Sequence, residues 1–225
     1  MADNHLKIIL TGATGMVGEG VLHECLSDRK VAEVLVLGRR SCGVQHPKLT
    51  EVIHDNFFDL SPVQTQLAGY NSCLFCLGVS SIGMKEPEFT RLTYTLTMHV
   101  AQTLCSVNNN MVFCYISGAA TDSTEKGKAM WARVKGKTEN DLMKLSLKAV
   151  YNFRPAALQP TKGLKNTLKY YKYINWLLPI VKAIAPKYVC SLQELGKAMI
   201  NSCAFGYSKN ILEVTDIVEL AEKHQ

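Results

Sequence analysis

A glycine-spaced turn wedged between an apolar run and a helical pattern constrains this chain more than any other feature. Leu6–Leu10 is largely apolar, Thr11-Gly12-Ala13-Thr14-Gly15-Met16-Val17-Gly18 follows, and helical periodicity continues to about Leu26. Strand, glycine turn and helix in that order form the setting of a dinucleotide-binding loop. Gly12 suits a tight turn, Gly15 lets a ligand lie against the backbone, and Gly18 lets the helix pack closely on the strand. The first amides of a helix have no intrahelical acceptor, and the helix dipole adds positive potential there. Thr14, Gly15, Met16 and Val17 therefore offer a site for the negative charge of a pyrophosphate.

The rest of the chain repeats this alternation. Strand-like runs are Leu6–Leu10, Glu33–Leu37, Glu51–Ile53, Ser72–Leu77, Met111–Ile116 and Ala149–Phe153, with helical patterns between them, as in Thr90–Val107 and Lys128–Leu145. Such alternation predicts an α/β fold, a Rossmann-type doubly wound parallel sheet with helices on both faces. Ser191-Leu-Gln-Glu194 reads as a capping box that opens a helix to about Cys203, and a last short helix is expected over Asp216–Lys223. With 225 residues and no linker or repeat, one domain over 1–225 is expected, carrying a basic, aromatic segment at 161–190. Hydrophobic residues make up 47% of the chain, which excludes a disordered polymer. The N-terminal Met-Ala-Asp-Asn-His lacks a signal-peptide layout, and no apolar run approaches the roughly 20 residues that span a bilayer. A cytoplasmic location is expected.

Eight cysteines sit mostly inside apolar strand or helix patterns, which does not suit a disulfide framework. Cys73 and Cys76 have CxxC spacing, but on a strand they point to opposite faces and cannot chelate one metal. No metal site is expected, and the cysteines read as reduced core residues.

In such sheets an acidic residue about 20 residues beyond the turn holds the ribose 2′-hydroxyl of NAD. Here that region ends Leu37-Gly38-Arg39-Arg40, without a carboxylate. Two guanidinium groups favour a 2′-phosphate through bidentate, charge-assisted bonds, so NADP(H) is favoured and NAD(H) stays open. Asp55 and Asn56 follow the third strand, where an adenine would lie, with loop capping as the alternative for Asp55. Gly78 ends the fourth strand, where backbone would pass close to the ligand.

With these residues in place, the chain resembles the short-chain dehydrogenase/reductase superfamily. It is most similar to the atypical members grouped with NAD-dependent epimerases/dehydratases and to the Tat-interacting-protein branch, which binds NADPH. The motifs are Thr11–Gly18, Arg39-Arg40, Phe75-Cys-Leu-Gly78, Tyr115-Ile-Ser-Gly118, Val134-Lys135-Gly136 and Phe153-Arg154-Pro155, in order over about residues 5–160. The resemblance implies that Ser117 polarises a substrate carbonyl and Lys135 contacts the nicotinamide ribose. It also implies that the Arg154-Pro155 segment passes near the nicotinamide carboxamide. The proton-carrying tyrosine of that superfamily stands four residues before the lysine, on the same helix face. Here that position is Trp131, and an indole N–H donates hydrogen bonds without carrying protons near neutral pH. Tyr94, His99 and Tyr115 remain as other proton donors, none singled out by spacing.

From Leu142 to Gln193 there is no Asp or Glu, while Lys144, Lys148, Arg154, Lys162, Lys165, Lys169, Lys172, Lys182 and Lys187 all lie there. Those nine charges exceed the whole chain's net +6. Lys165, Lys169 and Lys172 recur at helical spacing beside Leu164, Leu168 and Tyr171, and the aromatic run Tyr173–Val181 follows. Three readings stay open: a solvated helix face, a lid over an acidic or phosphorylated substrate, or contact with an anionic membrane surface. No base-reading motif accompanies the charge, so nucleic acid is not an expected partner. Two functions follow: an NADP(H)-dependent oxidoreductase or epimerase-like enzyme on a small substrate, or a catalytically weak NADP(H)-binding sensor that binds a partner. The sequence assigns no pairing surface for an oligomer.

Overall fold

Seven strands, all paired in parallel, form one sheet in the order β3-β2-β1-β4-β5-β6-β9. They are β1 (Leu6–Thr11), β2 (Val31–Gly38), β3 (Leu49–Ile53), β4 (Ser72–Phe75), β5 (Val112–Ile116), β6 (Ala149–Arg154) and β9 (Ile211–Glu213). The computed structural model describes residues 5–166, 181 and 184–223. The expected positions Leu168, Lys169, Tyr171, Lys172, Tyr173, Trp176, Pro179 and Lys182 lie outside the described residues. The strand order reverses between β1 and β4, which opens a crevice at the carboxyl ends of the strands, where ligands of doubly wound sheets sit.

Alternation along the strands divides the core between the two faces. Ile8, Leu10, Val34, Cys114 and Phe153 pack on one side, under α1 (Met16–Ser27) and two late helices. Ile9, Leu35, Phe75, Phe113 and Tyr115 pack on the other, under α3 (Leu96–Val107) and α4 (Met130–Leu142). Central strands therefore read as continuous apolar runs, buried on both faces. Cys73 and Cys76 do fall on opposite sides.

The helices differ from the sequence expectation mainly at their ends. The expected Thr90–Val107 helix begins earlier, as α2 (Glu86–Thr90) with Pro87 in its first turn, and runs through a π-helical turn at Arg91–Thr95 into α3. The expected Lys128–Leu145 helix is trimmed to α4, with extended Ala129 at its start. The fourth strand leaves the ladder after Phe75 rather than Leu77, because its backbone there turns against Gly12. The Ser191–Glu194 capping box is present and opens α5 (Leu192–Phe205). The last helix, α6 (Val214–Glu222), starts two residues early on a reciprocal box between Glu213 and Asp216. A second sheet of β7 (Ala157–Gln159) and β8 (Val189–Ser191), and strand β9, were not expected; three-residue strands carry too little periodicity to register.

Candidate functional site

The glycine turn lies at the carboxyl end of β1, and its geometry explains its composition. Gly12 has φ +76°, a left-handed conformation that costs an L side chain about 1–2 kcal/mol. A Cβ there would also lie 2.6 Å from the Cys76 carbonyl oxygen. At Gly18 a Cβ would stand 2.1 Å from the Gly12 carbonyl oxygen, so α1 touches the loop backbone to backbone. Gly15 is different: its Cβ would meet only Gly12 O, at 3.5 Å. Gly15 begins α1 without a side-chain cap, which leaves the helix-start amides without a covering side chain. Met16 and Val17 are half-buried and turn their side chains partly against the core.

A cavity of about 490 Å³ opens in front of this turn. Gly12, Ala13 and Thr14 form one wall, and Gly38, Arg39 and Arg40 at the end of β2 form another. Asp55, Phe57 and Leu77 complete it from the segments that follow β3 and β4. Arg39 and Arg40 are exposed, and among the described residues neither pairs with a carboxylate. Asp55 sits among these groups, whereas Asn56 is turned to its own loop and accepts from Phe58 N at 3.1 Å. Gly78 is exposed, with open space where a side chain would be. Thr11 Oγ1, buried at the root of the turn, has no hydrogen-bond partner among the described residues.

A second cluster forms at the end of β5. Lys135, on α4, donates from Nζ to the Ser117 carbonyl oxygen at 2.7 Å. Burial pulls its ammonium down to about 8, with the nearby Glu139 charge pulling the other way. Ser117 Oγ is 2.9 Å from Thr121 Oγ1, which itself donates to Gly118 O at 2.7 Å. The Thr121 proton is thus spent, so Ser117 donates to Thr121 and must give up that bond to polarise a carbonyl. A Cβ at Gly118 would lie 3.9 Å from Lys135 Nζ and 4.0 Å from Trp131 Cζ3. The bare backbone at 118 therefore leaves an opening bordered by an ammonium and an indole ring.

Of the other proton-carrying candidates, the two tyrosines are held elsewhere and the histidine is buried. Tyr94 donates to Asp141 Oδ2 at 2.8 Å, beneath Lys137. Tyr115 is buried in the core against Thr138, and burial pushes its phenol well above the usual range. His99 Nε2 is buried and without a hydrogen-bond partner among the described residues.

Arg154 was expected beside the cofactor, but its guanidinium is held by carboxylates. Nε reaches Glu139 Oε1 at 3.0 Å, Nη1 reaches Glu213 Oε1 at 3.3 Å, and Nη2 reaches Ser123 Oγ at 2.6 Å as well as Glu139 Oε2. An almost fully buried guanidinium requires such partners, and only the backbone of this segment is free to approach a ligand. Pro155 is buried, and its carbonyl accepts from Ala119 N at 3.0 Å, tying the ends of β5 and β6 together.

Sequence reasoning missed Thr121, the partner of Ser117, and Glu19. The Glu19 carboxylate, on the first turns of α1, accepts from the backbone amides of Lys165 and Asn166 at 2.7 Å each. That contact joins the first turns of α1 to the start of the basic segment across 146 residues of sequence, and no local pattern announces it. Among the described residues no helix is long and apolar enough to cross a membrane.

No family model matches the chain. No curated protein matches it in sequence. Solved structures do match. DesIV, a dTDP-glucose 4,6-dehydratase from Streptomyces venezuelae with NAD and TYD bound, superposes with TM-score 0.67 at 14% identity. The match covers 97% of this chain and 80% of DesIV. The ADP-L-glycero-D-manno-heptose-6-epimerase of Helicobacter pylori gives 0.68 at 14% identity, over 99% of this chain and 82% of that one. WbmF from Bordetella bronchiseptica, in complex with NAD+, gives 0.67 at 14%, over 99% and 78%. The chain has their fold. The α/β architecture and parallel sheet expected from the sequence are those of epimerase and dehydratase structures.

Proposed function

We propose that this protein binds NADP(H) in the cavity before the glycine turn and acts as an oxidoreductase or epimerase-like enzyme on a small, acidic or phosphorylated substrate. The observation that carries the reading is one cavity lined both by Gly12, Ala13 and Thr14 of the turn and by Arg39 and Arg40, which pair with no carboxylate among the described residues. The residues fit the group. The uncapped start of α1 suits a pyrophosphate, the orphaned Thr11 hydroxyl lies at the root of the same turn, and two guanidiniums suit a 2′-phosphate. Asp55 and Leu77 would flank the adenine side, and Gly78 would let the chain pass beneath the ligand. NAD in DesIV and WbmF supports the nicotinamide class. The arginine pair supports the phosphorylated form over NAD(H).

The nicotinamide, when bound, supplies or accepts hydride. Lys135 keeps two N–H donors beyond the bond to Ser117 O, and these would bind a ribose or a substrate oxygen at the Gly118 opening. Ser117 would exchange its bond to Thr121 for one to a substrate carbonyl. Trp131 would wall the opening and exclude water.

A second reading has its own observation. Trp131 replaces the proton carrier, and the Tyr94 and Tyr115 hydroxyls are turned to Asp141 and into the core. On that reading the protein senses NADP(H) and binds a partner, with little turnover.

Titrating NADPH and NADH by fluorescence, then assaying a carbonyl panel, separates the two. Arg39→Ala should weaken NADPH about tenfold or more and NADH little, since a charge-assisted bond contributes about 1.5–3 kcal/mol. Equal loss for both would refute the 2′-phosphate contact. Turnover by the natural chain that Lys135→Ala abolishes supports the enzyme; activity that appears only in Trp131→Tyr supports the sensor.

A further inference from the structure

A different part of the molecule carries reactive chemistry that the cofactor reading does not use. At the amino ends of the strands, opposite the glycine turn, a cavity of about 70 Å³ is lined by Asn71, Ser72, Lys148 and Cys203 among others. That volume exceeds the roughly 30 Å³ share of one water in the liquid, so a peroxide-sized molecule fits. Cys203, near the end of α5, lies at the bottom, 6% exposed. Behind it stands Cys114 of β5, with Sγ 3.7 Å from Cys203 Sγ and 3.4 Å from Ser202 Oγ. The two sulfurs are already in van der Waals contact, although 89 residues separate them in the chain. None of the eight cysteines is in a disulfide.

We infer that Cys203 and Cys114 form a peroxide-sensitive dithiol, with Cys203 the attacking sulfur and Cys114 the resolving one. The order of attack follows from position. Cys203 lines the cavity, whereas Cys114 is sealed beneath it in the sheet. The polar setting agrees. The adjoining Cys114 thiol, as hydrogen-bond donor, and the Lys148 charge draw the Cys203 thiol below its usual range against the opposing effect of burial. Burial pushes Cys114 the other way. The thiolate is the reactive form, so Cys203 is the sulfur prepared to react.

The chemistry balances with hydrogen peroxide as oxidant. Cys203 thiolate attacks one peroxide oxygen; an S–O bond forms, the O–O bond breaks, and hydroxide leaves to take up a proton as water. Cys114 then gives up its proton and attacks the sulfenic sulfur. An S–S bond forms, the S–O bond breaks, and the departing hydroxide takes that proton as a second water. Two thiols lose two electrons and one peroxide gains them. Side-chain rotation must close the sulfurs from 3.7 Å to about 2.05 Å. The product pins α5 to β5 and leaves the glycine turn untouched.

The test uses the full chain, reduced, freed of reductant and exposed to hydrogen peroxide at low molar excess. Remaining thiols are blocked with N-ethylmaleimide, and the chain is digested with trypsin without reduction. Cys203 falls in the peptide 198–209, and Cys114 shares the peptide 92–126 with Cys105. The expected result is loss of two thiols from eight and a linked 198–209/92–126 species whose fragments place the bond on Cys114. In Cys114→Ser the reaction should stop at a sulfenic acid that dimedone traps on Cys203. Oxidation of Cys42 or Cys105 before any linked species appears would overturn the inference, as would a bond placed on Cys105. The unsubstituted chain decides the matter even where the variant fails to fold, and the outcome is independent of whether NADP(H) binds.

Discussion

Replacing Gly18 with alanine tests the link between the glycine turn, the fold and ligand binding more sharply than any other change. The new methyl would stand 2.1 Å from the Gly12 carbonyl oxygen, 2.4 Å from its carbon and 2.8 Å from Ala13 N, all backbone. Ordinary contact needs about 3.4 Å, so α1 and the turn must separate by about 1 Å. Overpacking of this severity costs up to about 3 kcal/mol, and alanine's helix propensity returns about 1 kcal/mol. The net loss is about 2 kcal/mol, a Tm fall of roughly 4–8 °C for a chain of this size. The same displacement moves the Gly12 and Ala13 backbone out of line with the start of α1, so NADPH affinity should fall at least about tenfold. Gly15→Ala is the contrast. Its φ of −104° suits alanine, and its methyl would meet only Gly12 O at 3.5 Å. Its Tm should stay within about 4 °C of the parent, because capping losses of this kind are about 1 kcal/mol or less. Its methyl would nevertheless occupy the space above the helix start, and NADPH binding should still drop about tenfold. Thermal denaturation and NADPH fluorescence titration on both variants measure the two effects separately. Parental Tm and affinity in Gly18→Ala would refute the close-contact argument. Parental affinity in Gly15→Ala would remove the pyrophosphate from the turn.

Three further outcomes follow from charges held inside the fold. Folding lowers the Lys135 ammonium from 10.5 to about 8, so between those values the unfolded chain holds the proton more tightly and Lys135 costs less stability as pH rises. Lys135→Met should therefore stabilise by on the order of 1 kcal/mol at pH 7 and lose that advantage towards pH 10, read by urea denaturation at both values; a pH-independent difference contradicts the assignment. Glu139→Gln leaves the nearly buried Arg154 with a neutral partner, and a stability loss of about 3 kcal/mol is expected from thermal melts, against no change if the pair were solvated. Glu19→Ala removes the acceptor for Lys165 N and Asn166 N, so tryptic cleavage after Lys162 and Lys165 should accelerate several-fold; an unchanged rate would show that the carboxylate does not hold this segment.

The features legible in the sequence were those with a local physical signature. Buried parallel strands leave apolar runs, a helix start leaves Ser191 and Glu194 three residues apart, and a left-handed turn leaves Gly12. The same reasoning put Arg39-Arg40 at the end of β2, where the apolar run stops. It gave no sign that Glu139 and Glu213 take up the Arg154 guanidinium, because they lie on other elements whose positions no spacing reveals. It also overlooked β9, because three residues cannot show a period.

The sequence by itself determined the sheet, its helices and the glycine turn, because strand and helix periodicity and left-handed backbone are properties of neighbouring residues. Only the tertiary structure decided which charges stay free. Arg39 and Arg40 remain open to the cavity while Arg154 is neutralised. Lys135 is partly desolvated against Ser117, and Cys114 and Cys203 meet across 89 residues. Desolvation and pairing depend on what folding brings alongside, and burial then sets how strongly each charge is felt.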